Sequence, residues 1–119
     1  MSDIAKTFGA ALHGVEATII TIEVNVAEGV RFHVSGLPDK AIKESEHRIE
    51  SSIKESGFWF PRNKTVVNLA PADIRKEGSL YDLPIALCVL QSSGQVNVSD
   101  LDQYRIMGEL SLDGNLRAI

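Results

Sequence analysis

The sequence predicts one α/β domain of the α+β type, a sheet with two main helices packed on it. Three observations predict this class. Residues 17–35 contain two runs in which apolar and polar residues alternate, residues 39–56 repeat isoleucine at helical spacing, and residues 81–92 are apolar nearly all round. A length of 119 residues suits a single domain over 1–119 and is enough to bury a real core.

The elements follow in order. A first strand is expected from Ile4 to Leu12, where Gly9, Ala10 and Ala11 allow close packing and His13-Gly14 ends the run. The second covers Ala17 to Val26. There Ile20, Ile22, Val24 and Val26 share one face and Thr21, Glu23 and Asn25 the other, the period of a strand with one wet face. Ala27-Glu28-Gly29 reads as a short turn, after which Val30, Phe32 and Val34 alternate with Arg31, His33 and Ser35. Two alternating runs with so short a link predict a β-hairpin.

Gly36-Leu37-Pro38-Asp39 closes that strand and opens a helix over 39–56. Proline suits the first helical turn, and Asp39 and Glu44 place negative charge near the positive end of the helix dipole. Ile42, Ser45, Ile49, Ser52 and Ile53 fall on the inner face, Lys43, Glu46, Glu50 and Lys54 on the outer, and Gly57 stands where a C-terminal glycine cap belongs. Phe58, Trp59 and Phe60 read as core plugs at a helix-to-strand junction, with a stacking platform for nucleic-acid bases as the alternative. Thr65 to Leu69 is a short strand. A second helix begins at Tyr81 or Asp82, carries Pro84 in its first turn and runs to about Ser92, and it is expected to be the central buried one. Tyr104 to Leu110 reads as a strand. Asp113-Gly114 is the strongest turn signal of the chain, joining Leu110-Ser111-Leu112 to Asn115–Ile119. That second arm stops in mid-strand, which predicts that the chain is an N-terminal piece of a longer protein, truncated at its C-terminus.

Composition narrows the function. The formal charge is −4, whereas a standalone nucleic-acid binder usually carries a basic excess, so any contact with DNA has to use a local basic patch. The single cysteine, Cys88, lies in an apolar run without the spaced Cys or His partners of a zinc site and reads as a buried core residue. No secretory signal is evident and no apolar run approaches the roughly 20 residues that span a bilayer, so the expected location is the cytoplasm, away from membranes. Both the Gly-x-x-x-x-Gly-Lys-Ser/Thr phosphate loop and the Gly-x-Gly-x-x-Gly pattern are absent. His13, His33 and His47 are scattered and read as surface residues. No catalytic, cofactor or metal residue is assigned.

The segment from Asn68 to Asp82 concentrates polar chemistry: Asp73, Arg75, Lys76, Glu77, Gly78, Ser79 and Asp82 lie between a strand and a buried helix. Backbone N–H groups at such a junction favour anions, and a serine near a lysine is one arrangement for nucleophilic attack. The alternative is a helix-capping loop with solvated charges.

Four blocks carry a family resemblance. They are Gly36-Leu37-Pro38-Asp39 through Ser45, Asn68 through Lys76-Glu77-Gly78-Ser79, Asp82-Leu83-Pro84-Ile85-Ala86, and Gly108 through Asp113-Gly114. In this order they resemble the N-terminal domain of the ComM/YifB family of magnesium chelatase-like AAA+ ATPases. The resemblance implies a ribosomal protein S5 domain 2-like, Lon-protease-like fold with a mixed sheet. It also implies an ATPase module beyond residue 119 that binds ATP and Mg, neighbouring subunits in a hexameric ring, and a part in DNA branch migration during natural transformation. Arg62, Lys64, Arg75 and Lys76 are then the candidate contacts to DNA or to other subunits. Lon proteases carry Pro-Lys-Asp-Gly-Pro-Ser-Ala-Gly at this loop. Setting Lys76-Glu77-Gly78 on Lys-Asp-Gly brings Leu80 to the nucleophile position and leaves Ser79 one residue away, which disfavours a Lon-type serine peptidase. Asp82 is similar to an aspartate near the start of this helix in RadA-type recombination proteins.

Overall fold

A computed structural model describes residues 4–13, 16–27, 32–61, 64–71, 76 and 78–117. Strands β1 (Ala5–His13), β2 (Glu16–Ala27) and β3 (Phe32–Ser35) precede helix α1 (Asp39–Glu55). Strand β4 (Lys64–Ala70), a 3-10 turn (Gly78–Tyr81) and helix α2 (Asp82–Ser92) follow. A second 3-10 turn (Leu101–Gln103) and the short strands β5 (Glu109–Leu110) and β6 (Leu116–Arg117) end the described chain.

The main sheet has the order β1-β2-β4-β3, antiparallel except for the parallel β3–β4 pair, so it is the expected mixed sheet with two main helices. Alternation decides which face is covered. Ile20, Ile22 and Val24 of β2 stand opposite Gly9, Thr7 and Ala5 of β1. Ile22, Val24 and Val26 stand opposite Leu69, Val67 and Thr65 of β4, and all these residues are buried. Helix α2 lies across β1 and β2 on this face, and α1 packs beside it. Ile49 and Ile53 of α1 and Ile85, Cys88 and Val89 of α2 complete the core. Fully burying one such aliphatic side chain contributes about 1.5–3 kcal/mol. The small residues of β1 make room for Tyr81. A Cβ at Gly9 would lie 3.3 Å from that ring, and the Tyr81 hydroxyl donates to Ala10 O at 3.1 Å.

Helix α1 ends as expected. Gly57 adopts φ +90°, its N–H donates to Lys54 O at 3.1 Å, and the Phe58 N–H donates to Ile53 O at 3.1 Å. At the Asp113-Gly114 turn, Gly114 adopts φ +91° and Ser111 N–H donates to Asn115 O at 2.8 Å.

Three expectations need correction. The runs 17–26 and 30–35 do not form a hairpin: β4 lies between them, antiparallel to β2 and parallel to β3. Alternation reports the two faces of a strand and is silent about its neighbour. Here α1 carries the chain over the sheet as the crossover that a parallel pair requires, and Thr65, Val66 and Val67 fill the central place. The hairpin that forms is β1–β2, from Ala5↔Val24 to His13↔Glu16. The turn at Glu28-Gly29 lies outside the described residues.

Tyr104 to Leu110 is not one strand. Its backbone divides between two neighbours. Ile106 N–H donates to Phe8 O at 2.5 Å, making a single bridge to β1, and then Gly108 N–H donates to Leu80 O at 2.9 Å. Phe58 and Trp59 are not core plugs. Trp59 is 58% exposed, and its main-chain N–H and C=O are both held by the amide of Gln95 (2.9 and 2.8 Å). Of the three aromatics only Phe60 packs inward, with its ring centroid 6.0 Å from that of Phe32.

Candidate functional site

The motif residues converge where the two helices meet. Ser45 and Arg48 are three residues apart on α1 and therefore share a face. They point at Asp82, the first residue of α2, where the helix dipole favours an anion. The Asp82 carboxylate is completely buried and takes four hydrogen bonds. Ser45 Oγ donates to Oδ1 at 3.0 Å. Arg48 donates through Nε to Oδ2 at 2.5 Å and through Nη2 to Oδ1 at 3.1 Å, and the Leu110 N–H donates to Oδ2 at 3.4 Å. One carboxylate thus joins α1, α2 and β5. Burial pushes its pKa above the usual carboxylate value, against the opposing pull of Arg48, Ser45 and the Leu110 N–H. The Arg48 guanidinium is pushed up in turn, chiefly by its hydrogen bond to Asp82. The pair holds together, but desolvation of the carboxylate outweighs what Arg48 returns to it.

A second junction lies at the end of β4. Gly36 adopts φ +99°, and a Cβ there would stand 2.3 Å from Leu69 O, so this turn excludes any side chain. Lys76 is only 6% exposed. Its Nζ donates to Pro71 O at 2.5 Å and to Gly36 O at 3.3 Å, tying the β3–α1 turn to the end of β4. Leu37 packs half-buried against the core beside Pro38, whose carbonyl accepts the Ile42 N–H at 3.1 Å. The fourth block closes on α2: a Cβ at Gly108 would lie 3.2 Å from the Leu83 side chain, and Gly108 O accepts the Leu83 N–H at 3.0 Å. In the exposed turn, the Ser111 hydroxyl and then the Asn115 N–H hold the Asp113 carboxyl below its ordinary value.

Of the four predicted contacts, Lys64 and Lys76 lie among the described residues. Lys64 is exposed at the start of β4. Arg62, Arg75 and Glu77 and the side chain of Asp39 lie outside the described residues. Lys76 is corrected: a buried ammonium held by two carbonyls is not a free basic charge, because exposing it would strip those carbonyls of their donor. Gly78 opens the 3-10 turn, Ser79 is half-buried in it, and no hydrogen bond joins Ser79 to Lys76 among the described residues. Leu80, in the nucleophile register, packs against the core. Cys88 is buried, and burial pushes its thiol up to about 12. His33 and His47 are exposed, while the side chain of His13 lies outside the described residues.

Sequence reasoning missed Arg48. The signal was an arginine between Ser45 and Ser52 beside the inward Ile49, matched by an aspartate opening an otherwise apolar helix. Among the described residues no group of three or more His, Cys, Asp or Glu could hold a metal ion, and no helix is long and apolar enough to cross a membrane.

Comparison with known proteins places these motifs. The family model described as subunit ChlI of Mg-chelatase matches residues 22–119. The chain is 45% identical over 107 residues to the uncharacterised protein YifB of Escherichia coli, covering 89% of this chain and 21% of that protein. It is 41% identical over 117 residues to the competence protein ComM of Haemophilus influenzae, covering 98% of this chain and 23% of that protein. An uncharacterised protein of Mycobacterium tuberculosis is 32% identical over 117 residues, with the same coverage of 98% and 23%. The chain thus spans about a fifth of the length of the curated relatives it matches. Matched over well more than half its length, it belongs to the Mg-chelatase subunit ChlI-like family that includes YifB and ComM.

Proposed function

We propose that this chain is a non-catalytic accessory domain of a cytoplasmic ComM/YifB-type AAA+ ATPase. It organises the assembly of that protein, a hexamer, while ATP and Mg are bound by the remainder of the protein. One observation carries the reading: the polar motif residues serve internal contacts. Asp82 is enclosed by Ser45, Arg48 and Leu110, and Lys76 ties Gly36 to Pro71. Groups engaged in this way brace a scaffold and are withdrawn from attack on a substrate. The Lon-type peptidase alternative is not favoured, since Leu80 offers no nucleophilic atom. The name of the Haemophilus influenzae relative, a competence protein, supports a role in DNA processing.

The test removes residues 1–119 from the intact protein and follows assembly by mass photometry, together with salt-dependent binding of forked DNA. Impaired assembly or impaired DNA binding is expected. Unchanged assembly and unchanged DNA binding, or labelling of Ser79 by a fluorophosphonate probe, would refute the reading.

A further inference from the structure

Helix α2 is apolar nearly all round, yet the sheet covers only one side of it. Ile85, Cys88 and Val89 face the core, whereas Leu83 and Leu87, four residues apart and so on one face, are only half-buried. Leu90 continues their stripe. With Ile53 of α1, Phe58 and Gly114, these three leucines line an apolar groove of about 140 Å3. That is well under the roughly 300 Å3 at which small-molecule sites begin, and it suits an anchoring side chain of a packed helix. No charged side chain among the described residues lines it. Phe58, at its rim, is 37% exposed.

The walls are fixed. Ser51 Oγ donates to Leu112 O at 2.8 Å, and a Cβ at Gly114 would lie 2.7 Å from Ser56 Oγ, so the β5–β6 turn is pressed against the end of α1. On the other side the Phe58 N–H donates to Ile53 O at 3.1 Å, and the Gln95 amide clamps the main chain of Trp59. A groove preformed in this way needs little ordering when it is filled.

Its occupant follows from its surroundings. Leu116 of β6 meets Leu83 over Gly108, where a Cβ would lie 3.3 Å from the one and 3.2 Å from the other, and Leu116 is itself 60% exposed. Strand β6 therefore starts at the groove. The chain spans about a fifth of its curated relatives, so most of a polypeptide of this family lies outside these residues. A segment joined to β6 by a short linker is held beside the groove at roughly millimolar effective concentration, an advantage that no separate molecule has. An apolar stripe on a helix is matched by the apolar stripe of a second helix.

We propose that the groove between α2, the end of α1 and the β5–β6 turn seats an amphipathic helix of the same polypeptide, from outside residues 1–119, and so fastens this domain to the rest of its own subunit. The inference rests on the accessory-domain reading and names the contact that holds the domain in place.

The test uses the intact protein, assembled from mixed isotopically light and heavy subunits, with p-benzoylphenylalanine in place of Leu87 or, as a control, of the exposed Lys43. After irradiation, mass spectrometry should find crosslinks from position 87 to one segment outside residues 1–119, always light to light or heavy to heavy, and none to that segment from position 43. Leu87→Asp should speed amide exchange in the crosslinked segment about tenfold and leave β2 as in the parent. If β2 loosens as well, the crosslinks alone decide. Crosslinks between light and heavy subunits would give the groove to a second copy and overturn the proposal. Crosslinks confined to residues 1–119, crosslinks to another protein, no crosslinks at all, or unchanged exchange in the segment would also overturn it. Each of these leaves the accessory-domain reading standing, since that reading is decided by assembly and DNA binding after deletion of residues 1–119.

Discussion

Arg48→Met tests the junction of the helices most directly. Methionine keeps much of the aliphatic stem and removes the guanidinium, so Asp82 loses two of its four hydrogen bonds and the one counter-charge it has among the described residues, while its carboxylate stays buried. Breaking a buried pair from one side costs about 3–5 kcal/mol. Arg48 retains 21% exposure, so we place the loss near the low end, about 3 kcal/mol at neutral pH. The sign of the pH dependence follows from the direction of the shift. Burial already raises the Asp82 pKa, and without the opposing pull of Arg48 it rises further. A raised carboxyl pKa means that the folded state holds its proton longer than the unfolded chain. The penalty is therefore small at acidic pH, where both states are protonated, and grows as pH rises from the unfolded pKa to the folded one. Urea unfolding of parent and variant at about pH 4 and pH 7.5 should show the deficit mainly at the higher pH. The double variant Arg48→Met/Asp82→Leu should recover much of it, since no lone charge remains buried. An equal deficit at both pH values, or a double variant less stable than Arg48→Met, would refute the argument.

Other outcomes are equally checkable. Gly36→Ala should lower stability by about 2 kcal/mol or more in chemical denaturation, because the new Cβ meets Leu69 O at 2.3 Å and φ +99° disfavours alanine. Lys76→Met should cost about 2 kcal/mol and leave salt-dependent DNA affinity unchanged, since the ammonium serves Gly36 and Pro71. Cys88, with its thiol at about 12, should resist alkylation at pH 8 in native protein and react once denaturant opens the core. Ile49→Ala should cost about 3 kcal/mol, whereas Trp59→Ala should stay within about 0.5 kcal/mol, so a large thermal shift for the tryptophan variant would contradict its exposed position.

How much was legible in the sequence differs from residue to residue. The two-residue period of Ile20 to Val26 and the helical spacing of Ser45, Ile49, Ser52 and Ile53 set which faces are buried, and the structure buries them. The glycine cap at Gly57, the Asp113-Gly114 turn, the buried course of α2 and the core place of Cys88 were likewise legible, because each follows from the chemistry of a few adjacent residues. Family membership was legible for the same reason, being written in four contiguous blocks.

Tertiary structure decided the rest. That β4 enters between β2 and β3 depends on the path of α1 over the sheet, which no alternation pattern encodes. That Arg48 turns inward depends on a buried carboxylate 34 residues away, and that Lys76 is enclosed depends on carbonyls from two separate turns. Trp59, read from the sequence as a core plug, is exposed, and its main-chain N–H and C=O are held at the surface by the Gln95 amide. Local spacing governs periodicity, capping and turns. Strand order, charge partners and the exposure of single aromatics are set by long-range contacts, which form only when distant segments meet.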